Sequence, residues 1–525
     1  LSATNQDVNW LDQAPYPYNA TVDFIDRHLS ENNGERIAVI DDNGQYTYAE
    51  LAERVNRAGN MFLDLGATAE TRVAQIQLDD IDFPTVFFGA IKCGAIPVCI
   101  NTMLTTEQYL HILNDSRVRI LVISGALFEA VFPILDALEH LEHVIVAGDD
   151  PRASRRLATE LEAADDDLDA ANTLSDDVAF WLYSSGSTGN PKGAPHLHRN
   201  LRATADLYAR PVLGIEKHDS VFSAAKLFFA YGLGNAMTFP FAVGATSILM
   251  SGRPTPDSCR TVLKKHQPTI FYGVPTLYAA MLADADMKPK STSLSLRRCV
   301  SAGEALPEDI GIEWEKRFGV PILDGIGSTE MLHIFLSNRP DDFRYGTSGK
   351  PVPGYHARLV DENFGEVAVN EIGDLQIHGP SSCQGYWNQR SKSLRTFLGP
   401  WTVTGDKYFK DSDGYFHYCG RGDDMFKVSG NWVSPFEVES ALSSHEAILE
   451  AAVVPHADEN GLLKPKAFVI LNEGKQENEA SFDLLKAHVQ AMLSPWKYPR
   501  WIEYRDELPK TATGKIQRYK LRESE

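Results

Sequence analysis

Residues 183–193 read Tyr-Ser-Ser-Gly-Ser-Thr-Gly-Asn-Pro-Lys-Gly, and they follow the apolar run 178–182. A strand feeding such a loop offers hydroxyls from Ser184, Ser185, Ser187 and Thr188, uncrowded N–H groups at Gly186 and Gly189, and the cation of Lys192. That combination suits phosphate oxygens. It is not a Walker A loop, because Pro191 precedes the lysine and Gly193 follows it, so kinase or GTPase chemistry matches poorly. Two more segments gain meaning beside it. In Asp324-Gly325-Ile326-Gly327-Ser328-Thr329-Glu330 a Gly-rich turn precedes a hydroxyl and a carboxylate, suited to a phosphate contact at Thr329 and a Mg²⁺ ligand at Glu330. Alone, the same segment reads as a helix N-cap with Glu in the first turn. The other is Thr404-Gly405-Asp406 followed by Gly420-Arg421, where a carboxylate suits ribose hydroxyls and an arginine suits ribose or phosphate.

The elements around these segments alternate. Residues 47–66 place Leu51, Val55, Ala58, Phe62 and Leu65 on one helical face, closed by Gly66. Short apolar runs follow at 73–76, 96–100, 120–123 and 143–146, separated by helical patterns, which predicts parallel strands with crossover helices and an α/β body. From about 345 to 422 the chain turns β-rich, with Gly, Asp, Tyr and Trp and a strand-like run at 373–379. Beyond 422 a compact tail predicts a helix over 437–450, strands over 451–455 and 467–471, and a helix over 482–493, enough for a separate α+β domain.

In this order and spacing the segments resemble the acyl-adenylate-forming superfamily of acyl- and aryl-CoA ligases, over nearly the whole chain. The resemblance implies an α/β fold with a large layered N-terminal domain, residues 1–422, and a small mobile α+β C-terminal domain, residues 423–525, hinged at Asp423. It implies ATP, Mg²⁺ and coenzyme A as cofactor and co-substrates. Lys515, in Pro509-Lys510-Thr-Ala-Thr-Gly-Lys515, matches the lysine of the first half-reaction. As a carboxylate attacks the α-phosphorus, a bridging lysine stabilises the charge that develops in the transition state. On composition alone Lys510 competes for that role. A second face, presented after rotation, carries Lys427, Ser429, Gly430 and Asn431. Gly430 leaves room for a pantetheine arm, or serves as a turn glycine.

The set looks like the benzoate-CoA ligase branch. Residues 225–234 occupy the aromatic strand-turn beside the acyl pocket, with Phe229 where many relatives carry His. With 301–305 (Ser-Ala-Gly-Glu-Ala) and 327–334, the resemblance carries over Phe229, Ala230, Tyr231 and Gly232 as one wall. Ala302, Gly303, Ile326, Gly327, His333 and Ile334 form the other. Gly303 and Glu304 are also carried over to the nucleotide side. Glycines at 303 and 327 would let a flat ring approach the backbone. His333 reads either as a packed core residue or as a donor to the substrate, and the resemblance favours the pocket. Ile326 stands where Tyr is common, so the adenine platform is less aromatic. His196 and His198 lack a third ligand and read as loop or helix-start residues.

The implied reaction joins ATP and an aromatic acid, benzoate or a ring-substituted benzoate, to give acyl-AMP, and CoA then accepts the acyl group. An alternative acceptor is a carrier-protein phosphopantetheine in trans, and a non-enzymatic nucleotide sensor is disfavoured by Glu330, Asp406, Arg421 and Lys515 standing together. Composition agrees: 525 residues, 43% hydrophobic and 23% charged, describe a multidomain globular protein. A net charge of −21 argues against nucleic acid as a partner and requires local cations for an anionic substrate. Six scattered cysteines point to a reducing, cytoplasmic setting. No signal peptide or membrane span is expected, although a chain starting at Leu1 allows for a trimmed leader. The acidic 165–167 run reads as a solvated loop, and a homodimer is allowed for.

Overall fold

The computed structural model describes residues 14–184, 191–284, 286–287, 295–428, 431–459, 461–510 and 516–523. By internal contact the chain divides into two units, residues 1–357 with 377–402, and residues 358–376 with 403–525.

The first unit is built on two sheets. One runs His143–Ala147, Ile120–Ser124, Arg72–Ile76, Ile96–Cys99, Val178–Ser184, Lys192–Leu197; the first five strands are parallel and the last antiparallel. The continuous apolar runs 96–100 and 120–123 follow from this topology. Their strands Ile96–Cys99 and Ile120–Ser124 are buried at every position, as parallel strands covered by helices must be. The Tyr48–Asp64 helix packs Val55, Ala58 and Phe62 inward, and starts at a capping box between Thr47 and Glu50. Burying Val55 or Phe62 contributes about 1.5–3 kcal/mol each. The acidic 165–167 loop is exposed, and Asn60 on this helix donates to the carbonyls of Asp165 and Asp167.

The second sheet has nine strands, in the order Lys350–Pro351, Ile334–Ser337, Ile322–Gly327, Arg298–Ser301, Ile270–Gly273, Ser220–Ser223, Thr246–Ile248, Ile37–Ile40, Gln45–Thr47. Its central strands are parallel and its outer ones antiparallel. Here the structure differs from the sequence expectation. Residues 324–327 form the end of a strand rather than a turn or helix cap, because Gly325, Ile326 and Gly327 pair with Ser337, Leu336 and Ile334. Residues 225–234 are a loop running into the short Ala230–Leu233 helix, not a strand-turn.

In the second unit residues 406–410 of the Trp401–Lys410 strand pair with Phe416–Arg421, and Phe426–Val428 pairs with Asn431–Val433. A three-stranded sheet, Ile448–Ala457, Leu463–Leu471 and Trp501–Tyr504, carries the Pro435–Ser443 and Phe482–Met492 helices. The helix expected over 437–450 therefore ends at Ser443. The β-branched and apolar residues from Ile448 onward continue as a strand that shares the Val438, Leu442 and Val453 core. All six cysteines are free and buried. No helix among the described residues is long and apolar enough to cross a membrane.

Candidate active site

The phosphate-loop residues Ser185, Gly186, Ser187, Thr188 and Gly189 lie outside the described residues, but both flanks are described. Ser184 ends its strand with Oγ buried and without a hydrogen-bond partner among the described residues, and its Cα pairs with Lys192 across the antiparallel edge. Lys192 Nζ sits 4.3 Å from the centroid of the Tyr386 ring. The Tyr386 hydroxyl donates to Glu330 Oε1 at 2.6 Å. One aromatic side chain therefore touches both the expected phosphate cation and the expected metal carboxylate. Burial and then the Glu330 charge push the Tyr386 pKa up, so its hydroxyl keeps its proton at neutral pH.

Backbone contacts fix this cluster. Cys383 N–H donates to Glu330 O at 2.8 Å, Gln384 N–H to Pro195 O at 3.0 Å, and Trp387 N–H to Gly193 O at 2.9 Å. The Trp387 ring packs 4.9 Å from Trp181, with the Arg72 guanidinium over both rings and Arg117 over Trp387. Its Nε1 donates to Asp115 O. His196 lies behind Thr329, with Nε2 2.9 Å from Thr329 O and its ring stacked on Phe180. Burial lowers its pKa to about 4, so it is neutral at physiological pH. His198 instead accepts from Ala20 N–H, well apart in role from His196. Ser328 Oγ accepts from Met331 N–H at 3.3 Å. Asp324 is buried, and burial drives its carboxyl pKa well up. Its Oδ2 accepts from Leu306 N–H at 3.4 Å, while its carbonyl takes both N–H groups of Asn338. Asp324 thus supports the strand end from inside.

Of the residues expected around an acyl group, Tyr231 meets His333, and Gly327 meets Ile334. The Tyr231 hydroxyl reaches Gly273 O and Val300 O, each at 3.3 Å, at the strand end that leads to Ala302 and Gly303. His333 Nε2 lies 3.3 Å from Tyr231 O and 3.2 Å from Asn235 Oδ1, and Gly327 pairs with Ile334. Phe229 and Ala230 are partly exposed at the start of the short helix, whereas Ala302 and Ile334 are buried. Gly303 has φ +96°, a backbone that glycine adopts without strain. Gly232 is needed for a different reason: a Cβ there would overlap Lys226 O and lie 2.5 Å from Ala225 O. His333 is 3% exposed, ringed by Tyr208, Tyr231 and Phe239, and its Nδ1 has no partner among the described residues. Burial lowers its pKa to about 3, so it brings no cation to the wall.

The second unit holds the expected ribose pair. Arg421 Nη1 donates to Asp406 Oδ1 and to Thr404 O, each at 3.0 Å, and the two residues pair in register across their strands. Asp406 is the first cause of the rise in the Arg421 pKa. Lys427 is exposed, with Nζ 4.7 Å from the Trp432 ring, and Asn431 begins the partner strand. Ser429, Gly430 and Lys515 lie outside the described residues. Lys510 is paired with Glu450 at 2.8 Å. The Asp423 carbonyl accepts from Arg522 Nη1 at 3.3 Å.

Residues 26–387 match the model of the AMP-binding enzyme family and residues 437–515 that of the AMP-binding enzyme C-terminal domain, so the chain belongs to the AMP-binding enzymes. It is 58% identical to a benzoate–CoA ligase of Thauera aromatica, over 97% of this chain and 96% of that one. Among solved structures, it matches a benzoate CoA ligase from Burkholderia xenovorans LB400 with TM-score 0.89 and 49% identity, covering 96% of this chain and 100% of that one. It also matches an anthranilate CoA ligase in complex with anthranoyl-AMP with TM-score 0.93 and 42% identity, covering 97% and 98%.

Sequence reasoning missed Tyr386 and Trp387. Tyr386 stands 56 residues from Glu330, and only the Gly-Tyr-Trp run at 385–387 in the β-rich stretch signals it.

Proposed function

We propose that this protein is an AMP-forming aryl-CoA ligase acting on benzoate or a ring-substituted benzoate. The observation that carries the reading is the relationship to benzoate–CoA ligases over nearly the whole chain; an uncharged run at 229–231, with the Tyr231 hydroxyl 3.3 Å from Val300 O, supports it. In the first step a carboxylate oxygen of the acid attacks the α-phosphorus of ATP, and the bond to pyrophosphate breaks. In the second the CoA thiol, losing its proton, attacks the acyl carbon, and AMP leaves.

Roles follow from chemistry. Ser184 to Gly189 and Lys192 cradle phosphates, with Thr329 beside them; Asp406 and Arg421 take the ribose, and the 324–328 strand end flanks the adenine. Lys515 stabilises the pentacovalent charge of adenylation. A turn of the C-terminal domain at Asp423 exchanges Lys515 for the face bearing Lys427, Ser429, Gly430 and Asn431. A magnesium ion fits Glu330. It needs only one or two protein carboxylates when triphosphate oxygens complete its shell, and Glu330 offers a carboxylate oriented by Tyr386. Such an ion would neutralise phosphate charge. Phe229 is apolar and His333 neutral, so neither brings a charge to the ring.

The test is pyrophosphate release with benzoate, 2-aminobenzoate, 4-hydroxybenzoate and phenylacetate, with CoA or a holo-carrier protein as acceptor. The proposal expects benzoate-type acids and CoA to be the productive pair. Turnover with a holo-carrier but not CoA, or with no aromatic acid, would overturn it.

A further inference from the structure

Asp79 lies three residues past the Arg72–Ile76 strand of the six-stranded sheet and is 4% exposed. The loop it touches belongs to the other sheet, where residues 224–229 link the Ser220–Ser223 strand to the Ala230–Leu233 helix. Both carboxylate oxygens of Asp79 stand 3.3 Å from Leu227 N, and Lys226 Nζ is 3.9 Å from Oδ2. Lys226 reaches onward to the carbonyls of Met250 and Ser251. Among the described residues Leu227 N–H has no other acceptor. Elsewhere the loop is held at its start by Ala224 N–H on Tyr272 O at 2.9 Å, and within itself by Ser223 Oγ donating to Ala225 O and Phe229 N–H to Lys226 O, each at 3.0 Å.

This contact bears on the pocket because Gly232 packs directly on the carbonyls of Ala225 and Lys226. Any shift of the 226–227 peptide therefore passes to Gly232 and to its neighbour Tyr231, whose hydroxyl and carbonyl meet Val300 and His333. A buried carboxylate is costly to keep for packing alone, since apolar residues would fill the same space without desolvating a charge. Burial pushes the Asp79 carboxyl up to about 6, with Lys226 opposing it.

We propose that Asp79 is a positioning residue for the aromatic acid: through Leu227 and Lys226 it fixes the loop from which Phe229, Ala230 and Tyr231 present the pocket wall. This rests on the pocket assigned under the proposed function.

The experiment compares the intact wild type with Asp79→Ala and Asp79→Asn by steady-state kinetics and thermal unfolding. Asp79→Ala should raise KM for benzoate about tenfold or more, the usual weight of a hydrogen bond to a charged group, with KM for ATP within about twofold. Asp79→Asn keeps an oxygen acceptor for Leu227 N–H and should recover most of that loss. Should Asp79→Ala fail to fold, Asp79→Asn decides by the same split, with a smaller rise in KM for benzoate alone. Equal changes in both KM values, or a lowered Tm with neither KM changed, would overturn the proposal. Wild-type protein without benzoate-dependent pyrophosphate release would instead overturn the pocket assignment beneath it, so the two failures are told apart.

Discussion

Tyr386→Phe is the most informative single perturbation of the nucleotide side. It removes one hydroxyl and leaves the ring, so the 4.3 Å approach of Lys192 Nζ to the aromatic face and the Trp387 anchor both persist. What is lost is a 2.6 Å bond from a neutral phenol to the Glu330 carboxylate. Hydrogen bonds to charged groups contribute about 1.5–3 kcal/mol. Because Glu330 is only partly buried, water can replace some of the loss, which favours the lower bound. About 1.5 kcal/mol corresponds to roughly a tenfold effect. Freed from Tyr386, Glu330 samples other rotamers and, in the role proposed for it, must be ordered again when nucleotide and a magnesium ion bind. The expected outcome is therefore a kcat/KM for MgATP lowered about tenfold, with KM for benzoate nearly unchanged. The magnesium concentration needed for half-maximal ATP binding, read by calorimetry, should rise in parallel. Since the Tyr386 hydroxyl keeps its proton, the defect should be constant between pH 7 and about 9. A variant with wild-type kcat/KM for MgATP and unchanged magnesium dependence would refute the reasoning.

Three further outcomes are expected. Gly232→Ala places a Cβ against two backbone carbonyls that cannot yield, so it should cost about 1–3 kcal/mol in stability and remove benzoate turnover; an unchanged Tm would contradict the packing described. His196, held to about 4 by burial against an ordinary 6.5, takes up a proton in the unfolded chain before the folded one. Its share of stability is complete above pH 6.5 and is lost as pH falls towards about 4, at up to about 1.4 kcal/mol per pH unit. The Tm of His196→Gln should accordingly fall less than that of the wild type between pH 7 and 5, and an identical slope would contradict the assignment. Lys515→Ala should abolish acyl-AMP formation while CoA still accepts the acyl group from synthetic benzoyl-AMP; equal loss of both half-reactions would exclude its assigned role.

Much of the fold was legible because its signals are local or periodic. The face of Leu51, Val55, Ala58 and Phe62 closed by Gly66 marks a helix, and the apolar runs at 96–100 and 120–123, alternating with helical patterns, fit doubly covered parallel strands. The 324–327 strand was not legible. Its glycines read as a turn, and only pairing with residues 334–337, across an intervening bend, makes them a strand. The 437–450 helix overran for the opposite reason, since Ala441, Leu442 and Ile448 continue an apolar pattern that periodicity alone cannot divide. At the candidate site, the expected phosphate loop stands out by composition, whereas the Glu330 segment gains its reading only beside that loop. Tyr386 and Asp79 do not stand out, because their contacts are with residues far away in the chain, Glu330 and Lys192 for Tyr386 and Lys226 and Leu227 for Asp79, and neither carries a motif of its own.

The central claim is that benzoate-type acids are activated as adenylates and passed to CoA. It is tested most directly by incubating the purified protein with benzoate and MgATP, first without and then with CoA, while pyrophosphate, AMP and acyl products are followed together. The account predicts a burst of pyrophosphate matching one benzoyl-AMP per protein without CoA. Adding CoA should give continuous turnover, with benzoyl-CoA and AMP appearing in equal amounts. Formation of ADP and phosphate, or thioester without a preceding adenylate, would contradict it.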